Sequence, residues 1–188
     1  MNTASIIVNS FMALCALAAV GYHIAHSSFR RTMKFFTALS NVFCAVCCLT
    51  VAICRMAGDA PRAVLTLKYM GTVAVTLTLM TVLFFLMPQY GARKMFAGAD
   101  LWLHLICPLL ALLSYFAWDH ASMPFADMLL GMVPVVLYGL MYLWKVVLCP
   151  AEKRWDDFYG FNRNGRWPLS FTGMITGAFL ICVLLWAI

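Results

Sequence analysis

The sequence predicts an all-α, polytopic membrane protein: a six-transmembrane-helix bundle forming one domain over residues 1–188. Two observations predict it. Apolar residues make up 64% of the 188-residue chain and charged residues only 11%, whereas charge occupies about a quarter of a soluble domain. The apolar residues also gather into six runs, each near the roughly 20 residues that carry a helix across the hydrocarbon layer.

The first run, Ser5–Tyr22, has no basic segment before it, since the first Lys or Arg is Arg30; it reads as a membrane helix rather than a signal peptide. The second, Phe35–Ile53, is bounded by Arg55 and a Gly-Asp-Ala-Pro turn ending at Pro61. The third, Leu65–Met87, is closed by Pro88 and the polar stretch Gln89–Lys94. The fourth, Asp100–Trp118, ends at Asp119 and His120, and the fifth, Asp127–Val147, carries Trp144 and Lys145 as interface anchors, with Pro124 and Pro134 blurring its start. A polar loop, Cys149–Pro168, precedes the sixth, Leu169–Ile188.

The net charge of +6 sits mostly in short loops between apolar runs, where it sets topology rather than engaging nucleic acid. The first, third and fifth loops hold Arg30, Arg31 and Lys34, then Arg93 and Lys94, then Lys145, Lys153, Arg154, Arg163 and Arg166; the other side has Arg55, Arg62 and Lys68. The bias places the odd loops in the cytoplasm and both termini opposite, with the lipid bilayer as the surrounding partner. Most of the eight cysteines lie inside apolar runs, where cysteine behaves as a small hydrophobe, and no zinc-site spacing accompanies Cys44-x-x-Cys47-Cys48. No metal or cofactor is expected, and the oligomeric state is not encoded in any pattern here.

Chemistry points to Lys34–Asn41, K-F-F-T-A-L-S-N. Polar groups just inside a membrane helix are costly unless satisfied or used. Thr37, Asn41, Cys44 and Cys48 share one helical face, a pattern that suits a cavity lining or a tight helix contact. Opposite them stands His104, a neutral-pH general base by type or a histidine bonded to a neighbouring helix. Asp100, one turn before His104, either orients the ring or caps its helix. Counting residues from the odd-loop face puts Thr37 and His104 at similar shallow depth. In the fifth loop, Arg163 and Arg166 stand among aromatics and amides, as a lid against lipid headgroups or a plain positive-inside loop. His23 and His26, three residues apart, give a haem or metal alternative with His104; a small transporter or channel and a structural protein without chemistry are the others.

With these residues in view, the chain resembles the androgen-induced protein/androgen-dependent TFPI-regulating protein family in F-F-T-A-L-S-N (Phe35–Asn41), in His104 within L-H-L-I-C-P, and in six short spans over nearly its whole length. The resemblance implies an intramembrane threonine hydrolase that cleaves lipid esters such as fatty acid esters of hydroxy fatty acids. Thr37 then matches the nucleophile and His104 the base. An acyl transfer of this kind needs an oxyanion donor, for which Ser40 and Asn41 are the nearest polar groups in sequence.

Overall fold

The computed structural model describes residues 2–120 and 122–187. No strand occurs among them, and six helices are long and apolar enough to cross a membrane: α1 (Thr3–His26), α2 (Phe36–Ala57), α3 (Arg62–Tyr90), α4 (Ala99–Asp119), α5 (Phe125–Leu148) and α6 (Trp167–Trp186). This is the architecture of a multi-pass integral membrane protein. Most of the helices outrun the apolar run that announces them: α1 continues through His23 and His26, and α2 through Arg55 to Ala57. Polar and basic side chains at helix ends reach the interface, so backbone pairing need not stop where hydrophobicity does.

The α1–α4 group packs around small residues. Ala13, Ala16, Cys44, Ala45, Cys48, Cys107 and Ala111 are all fully buried in one cluster, and such residues let membrane helices approach closely. A Cβ added at Gly71 of α3 would lie 3.0 Å from Cys44 Cα, so the α2–α3 contact tolerates no side chain there. On the other side of α3, the Tyr69 hydroxyl lies 3.1 Å from the Met128 carbonyl of α5 and 3.0 Å from the Cys182 carbonyl of α6. One phenol therefore gathers three helices.

Proline shapes α3, α4 and α5. Each contains a widened π turn, at Val82–Leu86, Trp102–Ile106 and Trp144–Leu148, and each turn is followed two residues later by Pro88, Pro108 or Pro150. Pro88, expected to close the third span, instead lies within α3, because the π turn shifts the hydrogen-bond register ahead of it and Met87 N–H bonds to the Val82 carbonyl. In α4, Cys107 N–H goes to the Trp102 carbonyl. The next carbonyl in that register, Leu103, would need the N–H of residue 108, which proline lacks. In α5 the equivalent carbonyl, Lys145, would need the N–H of residue 150, also proline; it accepts instead from Trp155 N–H at 2.9 Å, out of the following loop.

At the even-loop end lies a buried polar cluster. Asp119, fully buried, accepts from Ser5 Oγ at 2.7 Å, Asn9 Nδ2 at 2.7 Å and Arg55 Nε at 3.3 Å. Arg55 also donates through Nη2 to the Trp118 carbonyl at 2.7 Å. Lys68, counted among the loop cations by the sequence reading, lies fully buried within α3 with Nζ 3.0 Å from Cys48 Sγ. Helix α3 starts at Arg62, so Lys68 is already more than a turn inside the bundle.

Removing one partner of a buried charge pair costs about 3–5 kcal/mol. Asp119→Ala, which strips Arg55, Ser5 and Asn9 of their common acceptor, should lower unfolding stability in detergent by that order. A loss below about 1 kcal/mol would show that water replaces the carboxylate.

Candidate functional site

The polar groups at the start of α2 are held by three other elements. Asn41 donates through Nδ2 to the Thr37 carbonyl at 2.8 Å and to the Leu103 carbonyl of α4 at 3.0 Å. Both contacts are carbonyl oxygens, which only accept, so the amide nitrogen must face them. Asn41 thus supplies from α2 the donor that Pro108 denies to Leu103. Its Oδ1 is buried and has no hydrogen-bond partner. Ser40 Oγ lies 3.2 Å from the Thr37 carbonyl and 2.9 Å from Thr78 Oγ1 of α3.

This arrangement corrects the oxyanion assignment. Both N–H groups of Asn41 are spent on backbone carbonyls, and Ser40 is engaged between a carbonyl and another hydroxyl. Neither is a free donor, because in hydrocarbon the backbone acceptors have first claim on any N–H or O–H within reach. Asn41 is an acceptor waiting for a donor.

Helix α2 has no side-chain cap of its own: its first residue follows Phe35 directly. The cap arrives from the loop between α5 and α6. Tyr159 accepts at its phenol oxygen from Phe36 N–H at 3.0 Å, one residue before Thr37. Burial pushes the Tyr159 phenol above its usual range, so it keeps its proton at neutral pH. Tyr138 donates to the Lys34 carbonyl at 2.8 Å. Thr37 is half-buried, and among the described residues its hydroxyl makes no bond to a carbonyl of its own helix, although its carbonyl accepts from Ser40 and Asn41.

The loop that delivers Tyr159 is folded around Asp157. Its Oδ1 accepts from Tyr142 at 3.1 Å and from Phe161 N–H at 2.8 Å, and its Oδ2 from Asn162 N–H at 2.7 Å. Together with the Trp155–Lys145 backbone bond, these contacts make the loop a tied strap. Arg163 and Arg166, the expected headgroup contacts, are both exposed on it and form no ion pair among the described residues.

His104 lies in the π turn of α4, 8% exposed, with Nδ1 2.7 Å from the Met95 carbonyl. A carbonyl can only accept, so Nδ1 carries a proton; in the neutral ring that leaves the lone pair on Nε2, the tautomer a general base needs. Asp100 does not orient this ring. It lies 3.1 Å from His23 Nε2 of α1 in a charge contact without hydrogen-bond alignment, and its backbone continues the first turn of α4 rather than capping it. The histidines assigned to the haem alternative are dispersed: His26 Nδ1 is 2.9 Å from the Tyr22 carbonyl, on its own helix. No three His, Cys, Asp or Glu side chains among the described residues group as metal ligands.

Thr37 and His104 therefore stand on adjacent helices, with no hydrogen bond between them. One Asn41 nitrogen touches both the Thr37 carbonyl and the carbonyl of Leu103, the residue before His104, so the two helices present Thr37 and His104 in the same shallow layer. Tyr159 and Tyr138 were not among the expected site residues. The only sequence signal for Tyr159 is its place in an aromatic-rich polar loop, W-D-D-F-Y-G-F.

No protein-family model, curated protein or solved structure matches this chain.

Leaving the Leu103 carbonyl unpaired should destabilise the bundle by about 1–3 kcal/mol. Asn41→Ala is expected to lower stability by that order, and Asn41→Asp by more, since a carboxylate would face two carbonyl oxygens. Thermal unfolding in detergent reads both; an Asp variant as stable as wild type would dismiss the bridging role.

Proposed function

We propose that this chain is an intramembrane hydrolase of lipid esters, with Thr37 as nucleophile and His104 as general base. One observation carries the reading: the Asn41 side chain bonds both to the carbonyl of Thr37 and to the carbonyl of the residue before His104. The hydroxyl and the imidazole are thereby tied to one small polar layer on neighbouring helices. The resemblance of the F-F-T-A-L-S-N and L-H-L-I-C-P segments to a threonine hydrolase family points the same way.

In this mechanism Thr37 Oγ1 attacks the ester carbonyl and its proton passes to His104 Nε2. With no direct hydrogen bond between the two side chains, the proton travels through a single water, an accepted route for general-base catalysis, and the unpartnered Asn41 Oδ1 is the acceptor that would hold it. Tyr159 replaces Asn41 and Ser40 as the oxyanion donor. Its oxygen already accepts from Phe36 N–H, which polarises the phenol O–H and strengthens it as a donor. Collapse expels the alcohol, which takes the proton from His104. A second water, deprotonated by His104, attacks the acyl-threonine; the acid leaves and the Thr37 hydroxyl is restored. The charge bias of the loops supports a cytoplasmic position for this layer.

A continuous polar path, as a channel or transporter would use, is less well supported. Between the Thr37 layer and the Asp119 cluster lie Ala13, Ala16, Cys44, Ala45, Val75, Cys107 and Ala111, packed together without exposure.

A fluorophosphonate probe should label the wild-type chain, fail to label Thr37→Ala, and label His104→Ala roughly 10²–10⁴-fold more slowly. Wild-type labelling of a folded Thr37→Ala would remove the nucleophile. Tyr159→Phe should lower kcat by about 10²–10³ with little change in KM; an unchanged kcat returns Tyr159 to a purely structural cap.

A further inference from the structure

Two cavities are lined by consecutive residues, Phe35 in one and Phe36 in the other. One, of about 380 Å³, opens between the first and fifth loops and is lined by Arg30, Arg31, Lys34, Phe35, Trp155 and Asp156. The other, a groove of about 340 Å³ between α2 and α5, is lined by Phe36, Leu39, Phe43, Leu137, Tyr138 and Met141. Tyr138, on the groove, lies tilted against Phe36 at 4.9 Å between centroids, and its hydroxyl holds the carbonyl of Lys34, which lines the first cavity. Thr37, the proposed nucleophile, follows Phe36 directly.

The first cavity is electrically incomplete. None of Arg30, Arg31 or Lys34 has a carboxylate within salt-bridge distance among the described residues. Three cations and one carboxylate line the space, leaving two positive charges unmatched. Lys34 is held beside it, with Nζ 5.4 Å from the Trp155 ring centre, while Lys145 approaches the same ring at 5.9 Å. Positive loops need only an excess of Lys and Arg to set topology. They do not need a cation-lined pocket next to an apolar groove.

We propose that the two cavities form one site for a single-chain acyl lipid bearing a phosphate monoester, the phosphate among Arg30, Arg31 and Lys34 and the chain in the α2–α5 groove. A phosphate monoester carries about −1.5 to −2 charge at neutral pH, which matches the unmatched charge; a carboxylate supplies only half of it. Arginine's planar fork suits phosphate oxygens, and the aromatic wall is the interface lining such a headgroup meets. The ester bond of such a lipid lies between its head and its chain, and Thr37, which lines neither cavity itself, directly follows Phe35 and Phe36 in the chain, one from each lining. As an assignment of substrate class this rests on the hydrolase reading; as a binding site it does not.

The test uses the full chain carrying Thr37→Ala, so that turnover cannot consume the ligand, and native mass spectrometry with an equimolar pair: a 1-acylglycerol phosphate and the 1-acylglycerol of the same chain. The phosphate lipid should be retained roughly tenfold or more over the neutral one, the scale of a charge-assisted contact. Adding Arg30→Gln, Arg31→Gln and Lys34→Gln together should bring the ratio near one. Arg93→Gln with Lys94→Gln, which removes charge from the same face outside the cavity, should leave it unchanged. Equal retention of both lipids, or an equal loss in the Arg93/Lys94 control, overturns the site. Equal retention of a fatty acid overturns the phosphate assignment, and displacement by inorganic phosphate at the same concentration overturns the lipid. Hydrolysis of the phosphate lipid by the chain with Thr37 intact is read separately: binding without turnover sinks the hydrolase and keeps the site, whereas turnover of neutral and phosphate lipids at equal kcat/KM sinks the substrate class and keeps the hydrolase.

Discussion

A carbonyl that has lost its donor must find another one wherever water is absent, and much of this structure follows from that constraint. Pro108 and Pro150 each withhold the N–H that the preceding π turn requires. The Leu103 carbonyl is completed by Asn41 from α2, and the Lys145 carbonyl by Trp155 from the succeeding loop. The first repair fixes how α2 meets α4. The second folds the α5–α6 loop back over the bundle, which brings Tyr159 to the start of α2 and Trp155 to the loop cations. Two missing hydrogens thus organise both the polar layer and the cavity beside it.

The number, order and approximate extent of the six helices were legible in the sequence because hydrophobicity at membrane length is a strong signal. Helix ends were less legible. Pro88 reads as a terminator, yet a π turn carries α3 past it to Tyr90, and no local residue pattern announces that register shift. Lys68 reads as an interface cation and lies buried against Cys48, a contact that depends on how α2 and α3 cross.

For the candidate site, the sequence could show that Thr37, Ser40, Asn41 and His104 are polar groups in apolar runs. It could not show how each spends its hydrogen bonds. Asn41 looked like a donor for an oxyanion because it stands one turn from Thr37, but one N–H goes to the Leu103 carbonyl that Pro108 leaves open and the other to the Thr37 carbonyl. Asp100 looked like a partner for His104 because it lies four residues earlier, but its carboxylate lies 3.1 Å from His23 of α1. Tyr159 was invisible for the opposite reason: 122 positions separate it from Thr37, and only the tied loop brings them together.

The groove between α2 and α5 opens sideways, with Leu137 of its rim largely exposed on the outer surface of the bundle. Whatever enters there dissolves in oil first. The concentration such a mouth meets is a mole fraction among surrounding acyl chains, not a molarity in buffer. Inert lipid or detergent added to the sample would dilute the ligand at constant total amount, and apparent affinities would scale with the amphiphile present.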